Sequence, residues 1–86
     1  MPYSIAIDPR VIEEDIPKIP QSYRKLIDKA ITERLTIKPI KLGKPLRYSL
    51  SGYRRLRVGD WRIIYKIDGS VIRIVKIGNR RDIYED

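Results

Sequence analysis

The sequence predicts a small single α+β domain spanning residues 1–86, in which an N-terminal strand and a helical hairpin precede an antiparallel three-strand meander. Three observations lead to this prediction. A length of 86 residues suffices for one modest core. One long segment carries apolar residues at helical spacing. Three β-rich runs in the second half are separated by short turn signals. Together with the first strand, the meander should form a four-stranded sheet.

The first strand and the first helix are predicted from the opening residues. The run Tyr3-Ser-Ile-Ala-Ile7 alternates apolar and polar side chains and is bounded by Asp8-Pro9, as expected of a short strand. The segment from Arg10 to Ile16 then has apolar residues at helical spacing. Asp8 is a suitable cap for this helix, and Pro17 should end it.

The second helix of the hairpin has the strongest pattern in the chain. Pro20 suits its first turn, and Lys38-Pro39 should end it. Because a sheet this small needs a helix to cover it, we expect the apolar side of this helix to pack on the sheet. That side consists of Tyr23, Leu26, Ile27, Ala30, Ile31 and Leu35.

The second half of the chain is predicted as a loop followed by the meander. Residues 40–51 contain glycine and proline and should form a loop, with a short extended piece at residues 46–50. The turn signals Gly59-Asp60 and Asp68-Gly69-Ser70 then separate three strands. These strands are predicted at Tyr53–Val58, Trp61–Ile67 and Val71–Ile77.

Charge and composition limit the function. The net charge is +8 and indicates an anionic partner. Residues 1–40 are nearly neutral, with seven Lys/Arg and six Asp/Glu, whereas residues 41–86 hold twelve against five. There is no cysteine or histidine, which excludes thiolate and imidazole chemistry; no metal or cofactor is implied. No apolar run approaches the roughly 18 residues of a membrane span, so we expect no membrane association and a cytoplasmic location.

The predicted hairpin sorts its side chains onto two faces. A two-residue turn at Gly59-Asp60 pairs Val58 with Trp61 and Arg57 with Arg62, and paired residues lie on the same face. Arg54 then shares the core side with the apolar residues of the hairpin. The opposite side, here named the arginine face, consists of Arg55, Arg57, Arg62 and Lys66.

The arginine face indicates a phosphate-binding surface. Two directly opposed arginines repel each other, at a cost of a few tenths of a kcal/mol up to about 1 kcal/mol. A polyanion between them would remove this cost, and the guanidinium fork matches phosphate geometry. The alternative is a solvated outer face. We expect Arg62 to face the surface, with Ile64 as part of a dry floor beneath the charges.

The third strand of the meander leaves one alternative open. If the turn before it has three residues, Lys76 and Arg80 lie on the arginine face. If that turn has two residues, they do not. The sequence alone does not decide between these registers.

Two motifs give the chain a family resemblance. Residues 53–65 read YRRLRVGDWRIIY, and residues 78–84 read GNRRDIY. Together with the order of strand, helical hairpin and meander, they resemble the RelE-like branch of the RelE/ParE toxin superfamily. The resemblance covers nearly the whole chain, although the helices match in pattern only.

The resemblance implies the toxin of a type II toxin–antitoxin system, which cleaves mRNA in the ribosomal A site by attack of the 2′-hydroxyl on the adjacent phosphate. By position, Arg62 would bind phosphate and stabilise charge, and Arg80 would stabilise the pentavalent phosphate or the leaving oxygen. Tyr84 would stack on or orient the target base. Arg55 occupies a strand position where well-studied members carry lysines.

The resemblance also implies the partners. These are a cognate, RelB-like antitoxin in a higher hetero-oligomer, the ribosome and mRNA. Further RNA contacts are assigned to Arg54, Arg57, Lys66, Lys76 and Arg81. Two alternatives remain at this stage: inhibition of DNA gyrase, as in the ParE-like branch, and RNA or ribosome binding without cleavage.

Overall fold

The computed structural model describes residues 3–47 and 51–81, in which a five-stranded sheet is covered on one face by helical segments. The spatial order is β1-β5-β4-β3-β2, with β1 parallel to β5 and the other neighbours antiparallel. The strands are β1 Ser4–Ile7, β2 Lys44–Pro45, β3 Arg54–Val58, β4 Trp61–Asp68 and β5 Val71–Asn79.

The predicted α+β class and the three-strand meander are confirmed. The sheet has one strand more than the four predicted, because the short strand β2 pairs with the start of β3. The extended piece was predicted at residues 46–50; β2 lies just before it, and residues 48–50 are outside the described part of the chain.

The helical layer consists of short pieces. A π-helical turn, Val11–Asp15, leads into a 3₁₀ turn, Ile16–Lys18. Helix α1, Gln21–Ala30, continues into a second π-helical turn, Ile31–Leu35, and helix α2 is Pro39–Leu42.

Proline does not end the first helical segment as predicted. Pro17 lies in the first turn of the 3₁₀ segment, where no backbone N–H is needed, so the chain stays helical through Lys18. The Asp8 cap is confirmed, because its Oδ1 accepts the backbone N–H of Arg10 at 2.8 Å. The prediction of a loop from residue 40 is wrong at its start, since α2 begins at Pro39, another first-turn proline.

The core lies between the helices and one face of the sheet. Its helical side includes Ile27, Ala30 and Ile31, as predicted. Leu26, however, is 53% exposed. It lies about 100° around the helix from Ile27, beyond the edge of the stripe that faces the sheet. The buried residues from the strands are Leu56, Trp61, Ile63, Tyr65, Ile72, Ile74 and Ile77.

A cluster beneath β2 joins α2 to the sheet. The hydroxyl of buried Tyr65 donates to the carbonyl of Pro39 at 2.6 Å. Arg54, opposite Tyr65 in the sheet, donates through Nη1 to the carbonyls of Gly43 at 2.8 Å and Ile40 at 3.2 Å. Gly43 has no side chain where Tyr65 passes, and a Cβ there would overlap the tyrosine ring and hydroxyl. This packing holds the chain after α2 against β3.

The register between β4 and β5 follows neither of the two predicted alternatives. The turn at Gly69-Ser70 has two residues, which would leave Lys76 off the arginine face. A β-bulge then makes Val75 an extra residue, so that Tyr65 pairs with Ile74 but Ile64 pairs with Lys76. The bulge therefore brings Lys76 to the arginine face.

Within the described ranges, no helix is long and apolar enough to cross a membrane.

Candidate phosphate-binding surface

The hairpin register places the arginine face on the side of the sheet away from the helices. Arg57 is directly opposite Arg62, and Arg55 is opposite Ile64. Lys66 lies further along β4, opposite Arg73 of β5. The predicted pairing of Val58 with Trp61 and of the two arginines is confirmed. Two strands thus hold the four basic side chains of this face close together.

The arginines of this face differ in exposure. Arg57 is exposed and Arg55 is half-buried. Arg62, which was expected to face the surface, is only 6% exposed. Its Nη1 donates to the carbonyls of Gly59 at 3.1 Å and Trp61 at 3.3 Å. Ile64 is 2% exposed and forms the predicted dry floor. The expectation for Arg62 is therefore wrong, because its guanidinium turns back onto the hairpin turn.

Burial and like charge act together on Arg62. Burial lowers its pKa, and the positive charges of Arg57, Arg55 and Arg80 lower it further, while the negative charge of Asp60 raises it. The pKa of Arg55 is lowered for the same reasons, by burial and then by Arg57. A guanidinium nevertheless stays protonated at neutral pH. The cluster therefore holds mutually repelling charges that an incoming anion would stabilise.

The segment after β5 packs against the turn between β3 and β4. The backbone N–H of Arg80 donates to the carbonyl of Asp60 at 2.8 Å, and that of Arg81 to Oδ1 of Asn79 at 3.3 Å. These four residues line a cavity of about 340 Å³. Arg80 is thus brought to the arginine face. Tyr84 lies outside the described residues, so its role stays a prediction.

Two of the predicted RNA-binding residues are engaged elsewhere. Arg54 lies on the core side and bonds the backbone after α2, so it does not join the arginine face. Lys76 does reach that face, but its Nζ forms an ion pair with Oδ1 of Asp15 at 2.8 Å. The other carboxylate oxygen, Oδ2, accepts the backbone N–H of Ile77 at 3.0 Å.

Sequence reasoning missed Asp15, which is only 5% exposed. Its carboxylate lies against the edge of β5 beyond the end of β1, where it accepts the backbone N–H of Ile77. A signal was present, because Asp15 follows buried Val11 by four residues and so shares its side of a helical turn. An acid on an inward-facing helical position indicates a buried partner.

Comparison with known proteins identifies the family. Residues 6–84 match the family model described as the ParE toxin of the type II toxin–antitoxin system parDE. Toxin RelG of Mycobacterium tuberculosis is 30% identical over 86 residues, covering 98% of each chain. Toxin RelE of the same organism is 32% identical over 85 residues, covering 96% of this chain and 87% of that protein.

Solved structures share the fold. The toxin–antitoxin complex RelBE2 of M. tuberculosis contains a chain that superposes with a TM-score of 0.86 at 27% identity, over 93% of this chain and 100% of that one. YafQ of E. coli strain BL21(DE3) superposes with a TM-score of 0.52 at 20% identity, over 92% and 94%, which shows the fold alone. The resemblance inferred from the two motifs is confirmed: the chain belongs to the ParE toxin family, the RelE/ParE toxins of type II toxin–antitoxin systems.

Proposed function

We propose that this toxin is a RelE-like endoribonuclease, which cleaves mRNA in the ribosomal A site through attack of a 2′-hydroxyl on the adjacent phosphate. The observation that carries the proposal is the position of Arg62. It directly opposes Arg57, and its pKa is lowered by burial and further by three neighbouring arginines. A preorganised positive charge of this kind stabilises the charge that develops on a phosphate during transfer.

The residues divide into two groups. Arg62 and Arg80 stabilise the transition state, Arg55 supports their charge, and Tyr84 stacks on the target base. The phosphates on either side are held by Arg57, Lys66 and Arg81. Charge stabilisation and in-line positioning carry much of a phosphoryl-transfer barrier, so this set requires neither a metal nor a cofactor.

The ribosome is part of the proposal, because it supplies the in-line geometry of the message. The location is accordingly the cytoplasm, and residues 1–86 act as one domain. The regulatory partner is a RelB-like antitoxin, as suggested by the similarity to the RelBE2 complex. Acidic residues of that partner would complement the +8 charge, and its apolar residues would cover exposed side chains such as Leu26 and Ile12.

Gyrase inhibition is the second candidate, because the matching family model is that of the ParE toxin. The two activities leave different traces in a cell. A message-cleaving toxin cuts transcripts and leaves DNA intact, whereas a gyrase inhibitor produces gyrase-dependent DNA breaks and leaves messages intact. A non-catalytic RNA-binding module would do neither.

The test is tightly controlled expression of the chain, with growth, message cleavage and DNA breaks followed together. Arg62→Ala should lower cleavage about 10²–10³-fold, as the loss of one preorganised donor does. Arg34→Ala removes the same charge from an exposed site in the helical layer and should keep full activity. Co-expression of the antitoxin, expected to be a small protein encoded next to this toxin, should abolish the growth arrest.

Stability needs a separate measurement, because Arg62 is buried and bonds two carbonyls. Arg80→Ala supplies a second variant at an exposed position and should also lower cleavage while the melting temperature stays unchanged. Intact messages together with DNA breaks would move the protein to gyrase inhibition. Full toxicity of folded Arg62→Ala and Arg80→Ala would contradict the proposed site.

A further inference from the structure

A carboxylate lies beside the arginine face, at the turn of its hairpin. Asp60 occupies the turn between β3 and β4, next to the opposed pair Arg57 and Arg62. Its carbonyl accepts the N–H of Arg80 at 2.8 Å, which ties the turn to the end of β5. Asp60 and Asn79 line a cavity together with the cationic residues Arg80 and Arg81.

The volume of this cavity, about 340 Å³, is at the lower end of the roughly 300–1,000 Å³ typical of small-molecule sites. Its lining combines guanidinium groups, an amide and a carboxylate. Guanidinium groups bind phosphate oxygens, whereas an amide and a carboxylate can accept hydrogen bonds from ribose hydroxyls. The chemistry of the cavity thus fits one ribose with its 3′-phosphate.

The carboxylate of Asp60 is available for this task. It acts electrostatically on Arg62, so it lies within range of the buried charge. Across residues 3–47 and 51–81 it forms neither an ion pair nor a side-chain hydrogen bond. Asp15, a further carboxylate among the described residues near this face, is already bonded to Lys76 and Ile77.

The reaction of the proposed function needs a proton acceptor, and among residues 3–47 and 51–81 few groups near the arginine face can serve. The arginines stay protonated and cannot accept a proton. The chain has no histidine. Lys76 is already engaged in an ion pair with Asp15. A carboxylate is an effective general base when it lies within hydrogen-bond reach of the hydroxyl.

We propose that Asp60 is the general base of the cleavage reaction and that the cavity it lines binds the ribose whose 2′-hydroxyl attacks. This inference rests on the proposed function. The proton of the 2′-hydroxyl passes to Asp60 as the O2′–P bond forms. The P–O5′ bond breaks, and O5′ takes a proton from water. The products are a 2′,3′-cyclic phosphate and a 5′-hydroxyl, and Asp60 then returns its proton to solvent.

Four cationic side chains lie around Asp60. They come from three elements: Arg57 from β3, Arg62 from β4, and Arg80 and Arg81 from the segment after β5. All four are cationic at neutral pH. A proton acceptor at Asp60 thus lies beside the groups that would bind the phosphate.

The test compares Asp60→Asn with Asp60→Glu in cleavage of a ribosome-bound message by the full chain. Asp60→Asn should slow cleavage about 10²–10⁴-fold, the usual contribution of a general base. Asp60→Glu keeps a carboxylate and should restore part of the rate. Asp68→Asn is the matched control, since it removes the same charge at the far end of β4, about 25 Å away. It should leave cleavage unchanged.

Two further measurements separate catalysis from structure and binding. Retention on ribosomes should stay equal or improve in Asp60→Asn, because the variant removes a negative charge from a cationic surface. The acid side of the wild-type pH–rate profile should be missing from the residual rate of Asp60→Asn, because that variant has no carboxylate. A merely structural aspartate would alter the melting temperature and leave the shape of the pH profile unchanged.

The outcomes distinguish this inference from the function on which it rests. If wild type cleaves nothing on ribosomes, the proposed function fails. If wild type cleaves and folded Asp60→Asn cleaves within about threefold of it, the function stands and Asp60 is not the base. Loss of ribosome retention in Asp60→Asn would also overturn the inference, because it would assign the residue to binding.

Discussion

The two faces of the sheet use arginine in different ways. On the helix-covered face, Arg54 donates to the carbonyls of Ile40 and Gly43 and fastens the chain after α2. On the arginine face, Arg62 also donates to two carbonyls, but its pKa is lowered by burial and further by the other arginines. Both arginines meet acceptors within the fold, and Arg62 in addition lies among charges of its own sign.

This difference shows that the neighbours of an arginine, rather than its burial, indicate its task. A guanidinium that meets enough acceptors within the fold has no need of a ligand. One that is held against like charges gains free energy when an anion arrives. Arg54 and Arg62 both lie in strands of the same hairpin, so the contrast is open to direct test.

The largest expected effect is on the free energy of unfolding at alkaline pH, and it comes from the helix-covered face. Burial raises the pKa of Tyr65 to about 12, although the charge of Arg54 acts in the opposite direction. An unfolded tyrosine titrates near 10. The phenol of the folded protein thus binds its proton more tightly, and stability from this group is complete below about pH 10. It is lost as pH rises toward 12, by about 2–3 kcal/mol.

Tyr65→Phe isolates this effect. The variant should lose about 1 kcal/mol at neutral pH, the net value of its hydrogen bond to Pro39, but it should lack the alkaline loss. Urea unfolding at several pH values measures both. Tyr53→Phe, at a half-buried tyrosine just before β3, serves as the control and should follow wild type. Parallel alkaline curves for wild type and Tyr65→Phe would contradict a buried, neutral phenol.

The next largest effect on stability is expected at Asp15, which binds β5 beyond the end of β1. Asp15 is buried and bonds both Lys76 and the backbone of Ile77, whereas the pair of Asp68 and Arg73 is exposed. Asp15→Ala should cost about 2 kcal/mol, mainly because a buried N–H at Ile77 loses its acceptor. Asp68→Ala should cost less than about 1 kcal/mol. If denaturant unfolding shows equal losses of unfolding free energy for the two variants, the hydrogen bond of Asp15 to the backbone of β5 does not contribute as expected.

The meander and the register of its first hairpin, between β3 and β4, were predictable because they depend on local rules. The turn signal at Gly59-Asp60 and the alternation of the flanking strands suffice to oppose Arg57 and Arg62. The resemblance of the two motifs also identified the family. Strands of alternating side chains and short turns carry this information within a dozen residues.

What could not be predicted depends on tertiary contacts. The bulge at Val75 carries no sequence mark, yet it decides on which face Lys76 lies. Leu26 matched the helical stripe, but only the position of α1 on the sheet shows that it lies beyond the edge. The burial of Arg62 likewise results from its bonds to the hairpin turn, which alternation does not reveal.

The smallest effect tests the comparison between the faces most directly, through the salt dependence of RNA binding. Arg57 is exposed on the arginine face, and Arg54 is engaged with carbonyls on the other side. Each phosphate contact adds about 0.7 to the slope of log K against log salt for a single strand. Arg57→Gln should therefore reduce the slope by about that amount without changing stability. Arg54→Gln should leave the slope unchanged and lower stability by about 1 kcal/mol.

Both variants lose one positive charge, so net charge cannot explain a difference between them. If the +8 charge attracted RNA diffusely, the two slopes would fall equally, and the arginine face would be a solvated surface like any other. If instead only Arg57→Gln changes the slope, phosphate contacts are confined to one face of the sheet. Arg73 supplies a check, because it lies along the sheet beyond the opposed arginines and is paired with Asp68. Arg73→Gln should therefore change the slope less than Arg57→Gln.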